Sequence, residues 1–138
     1  MQPTIEQLIS LEGKRALITG AAGGIGRAIA WRYAEAGAAL ELVDIDAATL
    51  ACTAEELAPF AVEVNTHVID LAHKEQIDAL WERLRGQEPD ILVNNAGIYP
   101  FREFVDADEA FVRRVMEINL LSVSWMCRGM ICGRGKRG

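Results

Sequence analysis

The run Ala16-Leu17-Ile18-Thr19-Gly20-Ala21-Ala22-Gly23-Gly24-Ile25-Gly26 carries an apolar strand into a glycine-rich turn that opens directly into a helix. No other segment constrains the fold as much. Gly20 supplies the φ > 0 that such a turn needs, Gly24 lets backbone approach a pyrophosphate, and Gly26 has no Cβ to hold the helix off the strand. A helix starting near Gly24 aims unpaired N–H groups and its positive dipole end at an anion. The next strand, Leu40-Glu41-Leu42-Val43-Asp44, ends in a carboxylate. It follows the turn by roughly the 20 residues at which an acidic side chain meets the adenosine ribose hydroxyls. The expected ligand is a dinucleotide. A ribose 2′-phosphate would face Asp44 at a cost of about 4 kcal/mol per charge pair, for ~4 Å and an effective dielectric of ~20. Ile45 stands where an arginine would have served that phosphate, so the expected cofactor is NAD(H) rather than NADP(H). Asp46 reads as the cap of the following helix.

Periodicity organises the rest of the chain. Thr4-Ile5-Glu6-Gln7 has the form of a capping box and predicts a short helix before a strand over 15–19. A helix over 24–36 is expected to bury Ile25, Ala28, Ile29 and Tyr33, with Gly37 ending it. A second helix spans 47–57 and stops before Pro59, and a third strand falls in the later half of 60–69. Residues 74–85 form the clearest helix, with Ile77, Leu80, Trp81 and Leu84 on one face. Pro89-Asp90 precedes a fourth strand, Ile91-Leu92-Val93. Strands alternating with helices predict an α/β fold with a doubly wound parallel sheet. A last helix over 108–131 is charged early and, from Leu120 to Cys127, apolar nearly all round. One face covers the sheet, and the other needs a second cover, from later parts of the domain or another subunit.

Composition bounds the function. With 138 residues, 51% of them apolar, the chain is long enough for a domain, and its net charge of −6 gives no general pull toward nucleic acid. Three cysteines without CxxC spacing fit reduced thiols rather than a disulfide framework. His67 and His73 lack metal-ligand spacing, so strand-end or surface roles are expected and no metal. Neither a basic-then-apolar leader nor an apolar stretch of ~18 residues is present, so a cytoplasmic protein without a membrane partner is expected.

The run Thr19 to Gly26, TGAAGGIG, resembles the TGxxxGxG cofactor motif of the short-chain dehydrogenase/reductase family. Three further matches follow in order. Asp70, in Val68-Ile69-Asp70-Leu71, resembles the family's adenine-contacting aspartate. Asn94-Asn95-Ala96-Gly97 resembles its NNAG motif, and Asn119 falls where the family keeps a helix asparagine that serves catalysis. The resemblance implies a Rossmann fold with strand order 3-2-1-4 in the part present. It implies NAD held by Gly20, Ala22, Gly24, Ile25, Gly26, Asp44, Asp70, Asn95, Ala96 and Gly97, with Asn119 on the catalytic side. It also implies an alcohol or carbonyl substrate and a homo-oligomer built through the last helix. Plainer roles stand beside these: Asp70 as a cap, Asn94 and Asn95 as turn formers, and Asn119 as a helix residue bonded to a neighbour.

The chain also departs from the family pattern. There, a tyrosine moves the proton during hydride transfer, its pKa lowered by a lysine four residues later, and a serine positions the substrate oxygen. Here the tyrosines are Tyr33 and Tyr99, followed at that spacing by Gly37 and Glu103, so there is no YxxxK pair. The sequence reads as an incomplete NAD-binding domain over 1–132 with a basic, disordered Gly/Arg tail over 133–138, truncated before the fifth strand and inactive alone. Its fourth strand would then have an open edge, predicting weak solubility or partner-dependent folding. Two other functions remain open: a non-catalytic NAD(H)-binding or interaction module, and a methyltransferase-type Rossmann domain, against which NNAG and Asn119 argue. Ile98, Tyr99, Pro100 and Phe101 are candidates for the near wall of a substrate site, or for plain packing.

Overall fold

The computed structural model describes residues 2–135. The chain forms two compact units, Met1–Val68 with Pro89–Asn95, and Ile69–Glu88 with Ala96–Gly138.

The first unit is built on a four-stranded parallel sheet: β1 Arg15–Thr19, β2 Ala39–Asp44, β3 Val64–Val68 and β4 Ile91–Val93. Its order is β3-β2-β1-β4, as the family resemblance implied. Ala16 lies opposite Leu40 and Ile91, and Leu40 opposite Val64. Side chains alternate across a strand, so Ala16, Ile18, Leu40 and Leu42 share one face, packed with α2 (Gly24–Glu35) and α3 (Ala47–Glu56). Leu17, Glu41 and Val43 on the opposite face are equally buried, which is why β1 and β2 read as near-continuous apolar runs. Leu50 of α3 is fully buried in this core, a contribution of about 1.5–3 kcal/mol.

Local signals set the boundaries. Thr4 accepts the Gln7 N–H at 3.2 Å while its own N–H donates to Gln7 Oε1 at 2.9 Å, completing the capping box of α1 (Ile5–Ile9). Asp46 caps α3 by accepting the Thr49 N–H at 3.0 Å. Gly37, at φ +93°, reverses the chain after α2 and donates its N–H to the Ala34 carbonyl. The buried face of α2 differs from the expected one. It is Gly26, Ala30 and Ala34, with Ile29 and Tyr33 half-buried, whereas Ile25 and Ala28 are exposed. A row of small residues brings the helix axis close to the sheet, a contact that a search for large apolar side chains overlooks.

The second unit pairs α4 (Lys74–Arg83) with α6 (Ser122–Arg134). Ile77 and Leu80 of α4 are fully buried, and Leu84 beyond its end nearly so. A Cβ on Gly129 would lie 2.1 Å from Trp81 Nε1, so the indole occupies the space a side chain would take. The helix expected over 108–131 runs without a break from Glu109 through Arg134, as α5 (Glu109–Met116), a π turn at Glu117–Leu121, and α6. α6 continues through Arg134, so Gly133 and Arg134, read as tail, are helical. Residues 136–138 of that stretch lie outside the described residues.

Candidate dinucleotide site

The glycine turn joins β1 to α2. Gly20 and Gly24 adopt φ +67° and +53°, left-handed values that favour glycine. The N-cap of α2 is Gly23, with no side-chain cap. Its first N–H groups therefore face outward from a surface without side chains, since a Cβ on Gly23 or Gly24 would meet nothing within 4 Å. Gly26 serves the opposite purpose. A Cβ there would stand 2.0 Å from the Gly20 carbonyl oxygen and 2.6 Å from Asn95 Nδ2, so the helix can start this close to the strand only without one.

Side chains from three neighbouring segments brace this turn. Asp44, at the end of β2, accepts the Ala22 N–H on Oδ2 at 2.9 Å and the Asp46 N–H on Oδ1 at 3.1 Å. Thr53 of α3, buried, donates its hydroxyl toward the Ala22 carbonyl at 3.1 Å. Asn95 donates Nδ2 to the Thr19 and Gly20 carbonyls, each at 3.1 Å, and its N–H lies 3.1 Å from Thr19 Oγ1. Gly20, Ala22, Gly24, Gly26, Asp44 and Asn95 thus converge, with Ile25 exposed on the first turn of α2. The arrangement offers oriented donors, positive helix-end potential and no bulk, which fits an anion such as a pyrophosphate.

The remaining candidates lie in the second unit as two separate groups. Asp70 accepts the Ala72 N–H and an Arg114 guanidinium N–H, each at 2.9 Å. Burial pushes its carboxyl upward, but the bonds from Arg114 and Ala72 and the charges of Arg114 and His73 outweigh it and hold it below the usual value. Asp70 therefore stays an ionised acceptor. In the other group, Asn119 sits in the π turn and brackets Ile98, accepting its N–H and donating to its carbonyl, both at 2.8 Å. Gly97 lies beside this pair, its missing Cβ 3.4 Å from Asn119 Oδ1. Ala96 precedes it in the same loop, and Tyr99 and Phe101 are almost fully exposed.

One polar group escaped the sequence reading. Glu41, in the middle of β2, is buried and held by Arg15 of β1 and by Asn65 and His67 of β3, with His67 Nε2 at 2.6 Å. His67 is consequently a buried strand residue and not a surface one, because its ring pairs with that carboxylate. Burial raises the Glu41 carboxyl, yet the hydrogen bonds from His67, Asn65 and Arg15 win and lower it. Arg15 is raised, its bond to Glu63 leading, opposed by burial and reinforced by Glu41. The available signal was a lone acid between leucines in a predicted strand, which needs a cation nearby.

Comparison with known proteins places this geometry. The short chain dehydrogenase family model matches residues 14–137. "Probable oxidoreductase EphD" of Mycobacterium tuberculosis is 39% identical over 113 residues, 80% of this chain and 19% of that protein. The sorbitol dehydrogenase of Cereibacter sphaeroides is 37% identical over 129 residues, 89% of this chain and 49% of that one. Among solved structures, L-sorbose reductase from Gluconobacter frateurii, complexed with NADPH and L-sorbose, superposes with a TM-score of 0.87 at 34% identity. That match covers 94% of this chain and 51% of the reductase. The chain thus spans about half, or less, of the length of these relatives. With the strand order, the glycine turn and the family match in agreement, this chain belongs to the short-chain dehydrogenase family of oxidoreductases.

Proposed function

We propose that this chain binds NAD(H) as the cofactor-holding part of a short-chain oxidoreductase that interconverts an alcohol and a carbonyl compound. One observation carries the reading: α2 begins at a glycine turn with no side-chain cap, and the Asp44 carboxylate sits on the N–H of Ala22 in that turn. The main-chain donors of Gly24, Ile25 and Gly26 take the pyrophosphate. Asp44 takes the ribose hydroxyls, and its charge disfavours a 2′-phosphate. L-sorbose reductase is complexed with NADPH; in this chain Asp44 is the group that favours NAD. Asn95 locks the turn, and Asp70 accepts the adenine amino group. Ala96 and Gly97 leave space beside the cofactor. Asn119 positions the backbone at Ile98 on the substrate side.

When bound, the nicotinamide supplies or accepts hydride. The protein's own share is to orient it and exclude misplaced charge. No tyrosine here has a lysine four residues on, which favours cofactor binding without turnover by this chain. The apolar, exposed parts of α6 and the preceding π turn, Leu120 and Ile131 among them, favour assembly with a second copy. No helix among the described residues is long and apolar enough to cross a membrane.

Titration with NADH, NADPH and S-adenosylmethionine, followed by an assay against a panel of alcohols and ketones, tests the proposal. Saturable binding of NADH, weaker binding of NADPH, and no binding of S-adenosylmethionine are expected. Preference for S-adenosylmethionine, or for NADPH, would overturn it, and substrate turnover would remove the binding-only part.

A further inference from the structure

Within the first unit, Ala22 of the glycine turn is held at both ends by side chains from elsewhere in the chain. Its N–H donates to Asp44 Oδ2 at 2.9 Å, and its carbonyl accepts the Thr53 hydroxyl at 3.1 Å. The Ala21 N–H before it donates to the Val43 carbonyl at 3.1 Å. Among the described residues, α2 offers the Ala22 carbonyl no N–H, because the first bond of that helix runs from the Arg27 N–H to the Gly23 carbonyl at 3.3 Å. Thr53 is 2% exposed and Ala22 6%, so water is poorly placed to replace the bond. A helical threonine ordinarily returns its hydroxyl to the carbonyl four residues back. That acceptor is present too, the Thr49 carbonyl at 3.1 Å, and the hydroxyl has one proton for the two. The relation is therefore unequal: Thr53 would be satisfied without Ala22, whereas the Ala22 carbonyl would lose its donor without Thr53.

We propose that Thr53 is a positioning residue for the dinucleotide site, holding the turn in its ligand-ready shape through the Ala22 carbonyl. The inference rests on the dinucleotide reading above. A trans peptide is planar, so anchoring that carbonyl fixes the plane of the peptide that enters Gly23, the N-cap of α2. With glycine at 20, 23 and 24, the turn has little side-chain bulk of its own to keep it in one shape. Affinity falls with the fraction of molecules in the competent form, and a brace from α3 raises that fraction before the ligand arrives. Asp44 shares Ala22 through its N–H, so loosening the carbonyl end also loosens the donor that fixes this carboxylate. Thr53 meets no ligand atom in this scheme and acts through Ala22.

The test uses the whole chain and two complementary variants. Thr53→Val keeps the side-chain shape and removes the hydroxyl, whereas Thr53→Ser keeps the hydroxyl and removes the methyl group. The dissociation constant for NADH, measured well below each protein's unfolding midpoint, is expected to rise about fivefold in Thr53→Val, the range of one neutral hydrogen bond. Thr53→Ser is expected to stay close to wild type. Amide hydrogen exchange at Ala22, read by NMR without ligand, should quicken in the valine variant and not in the serine one. A purely structural role would lower the unfolding midpoint of Thr53→Val and leave both readings of the folded protein unchanged, which would overturn the inference. Equal weakening by serine and valine would assign the effect to lost packing and overturn it as well. If Thr53→Val does not fold, by circular dichroism, Thr53→Ala carries the comparison with serine. A wild-type chain that does not bind NADH removes the dinucleotide reading, and the exchange comparison still decides whether Thr53 holds the turn.

Discussion

The Asp44 carboxylate accepts the Ala22 N–H at 2.9 Å, so the group proposed to hold the ribose also braces the turn proposed to hold the phosphates. The two tasks share one side chain. Asp44→Ala is therefore expected to weaken NADH by about tenfold or more, the value of a charge-assisted hydrogen bond. The same change removes the repulsion of a 2′-phosphate, so the NADH to NADPH preference falls as well. Fluorescence titration of both cofactors against the variant reads the two effects together.

Gly26 tests the close approach of helix and strand. Alanine at this position would place a methyl group 2.0 Å from the Gly20 carbonyl oxygen, which is backbone and cannot turn aside. Gly26→Ala is expected to destabilise the fold by about 1–3 kcal/mol through overpacking and to abolish NADH binding by displacing the turn. Gly23→Ala makes the control. The added methyl meets nothing within 4 Å there, so stability should change little, measured by denaturant unfolding.

Stability is expected to fall in acid because of Glu41. Burial raises its carboxyl, but bonds from His67, Asn65 and Arg15 outweigh this and leave it below its ordinary 4.5. A depressed folded value means that the unfolded chain binds more protons in that range, so the contribution is complete above 4.5 and is lost as pH falls through the folded value. Asp70 acts in the same sense below its ordinary 3.8. Unfolding free energy measured across this acid range should therefore drop, and Glu41→Gln should flatten part of that slope. Arg15→Met leaves the buried carboxylate short of a partner and should cost about 3–5 kcal/mol near neutrality.

The seam of α4 and α6 offers a prediction independent of any ligand. Gly129 faces Trp81, whose Nε1 is buried without a hydrogen-bond partner. Gly129→Val should displace the indole, shift its fluorescence to longer wavelength and lower the melting temperature. An unchanged emission spectrum would mean that the indole does not occupy that space.

The capping box, the Asp46 cap and the clear helix at Lys74–Arg83 were legible because each rests on a local pattern, a cap or a periodic apolar face, whereas the sheet order came from the family resemblance. The glycine turn was legible too, where Gly20 adopts the left-handed backbone expected of it; Gly24 adopts it as well, which the sequence reading had not anticipated. Less local features were not legible. The buried face of α2 is a row of glycine and alanine, which no hydrophobic pattern reveals. The π turn at Asn119 adds no sequence signal of its own. His67 and Arg15 gain meaning only through the parallel register that brings β1 and β3 beside Glu41 of β2. Arg114 likewise acquires its role from Asp70, far away in sequence.

A crystal structure of the chain grown with NADH tests the central claim most directly. The account predicts the pyrophosphate against the N–H groups at the start of α2 and the adenosine ribose on Asp44. A dinucleotide bound elsewhere, or a ribose turned away from Asp44 with the turn unchanged, would contradict it.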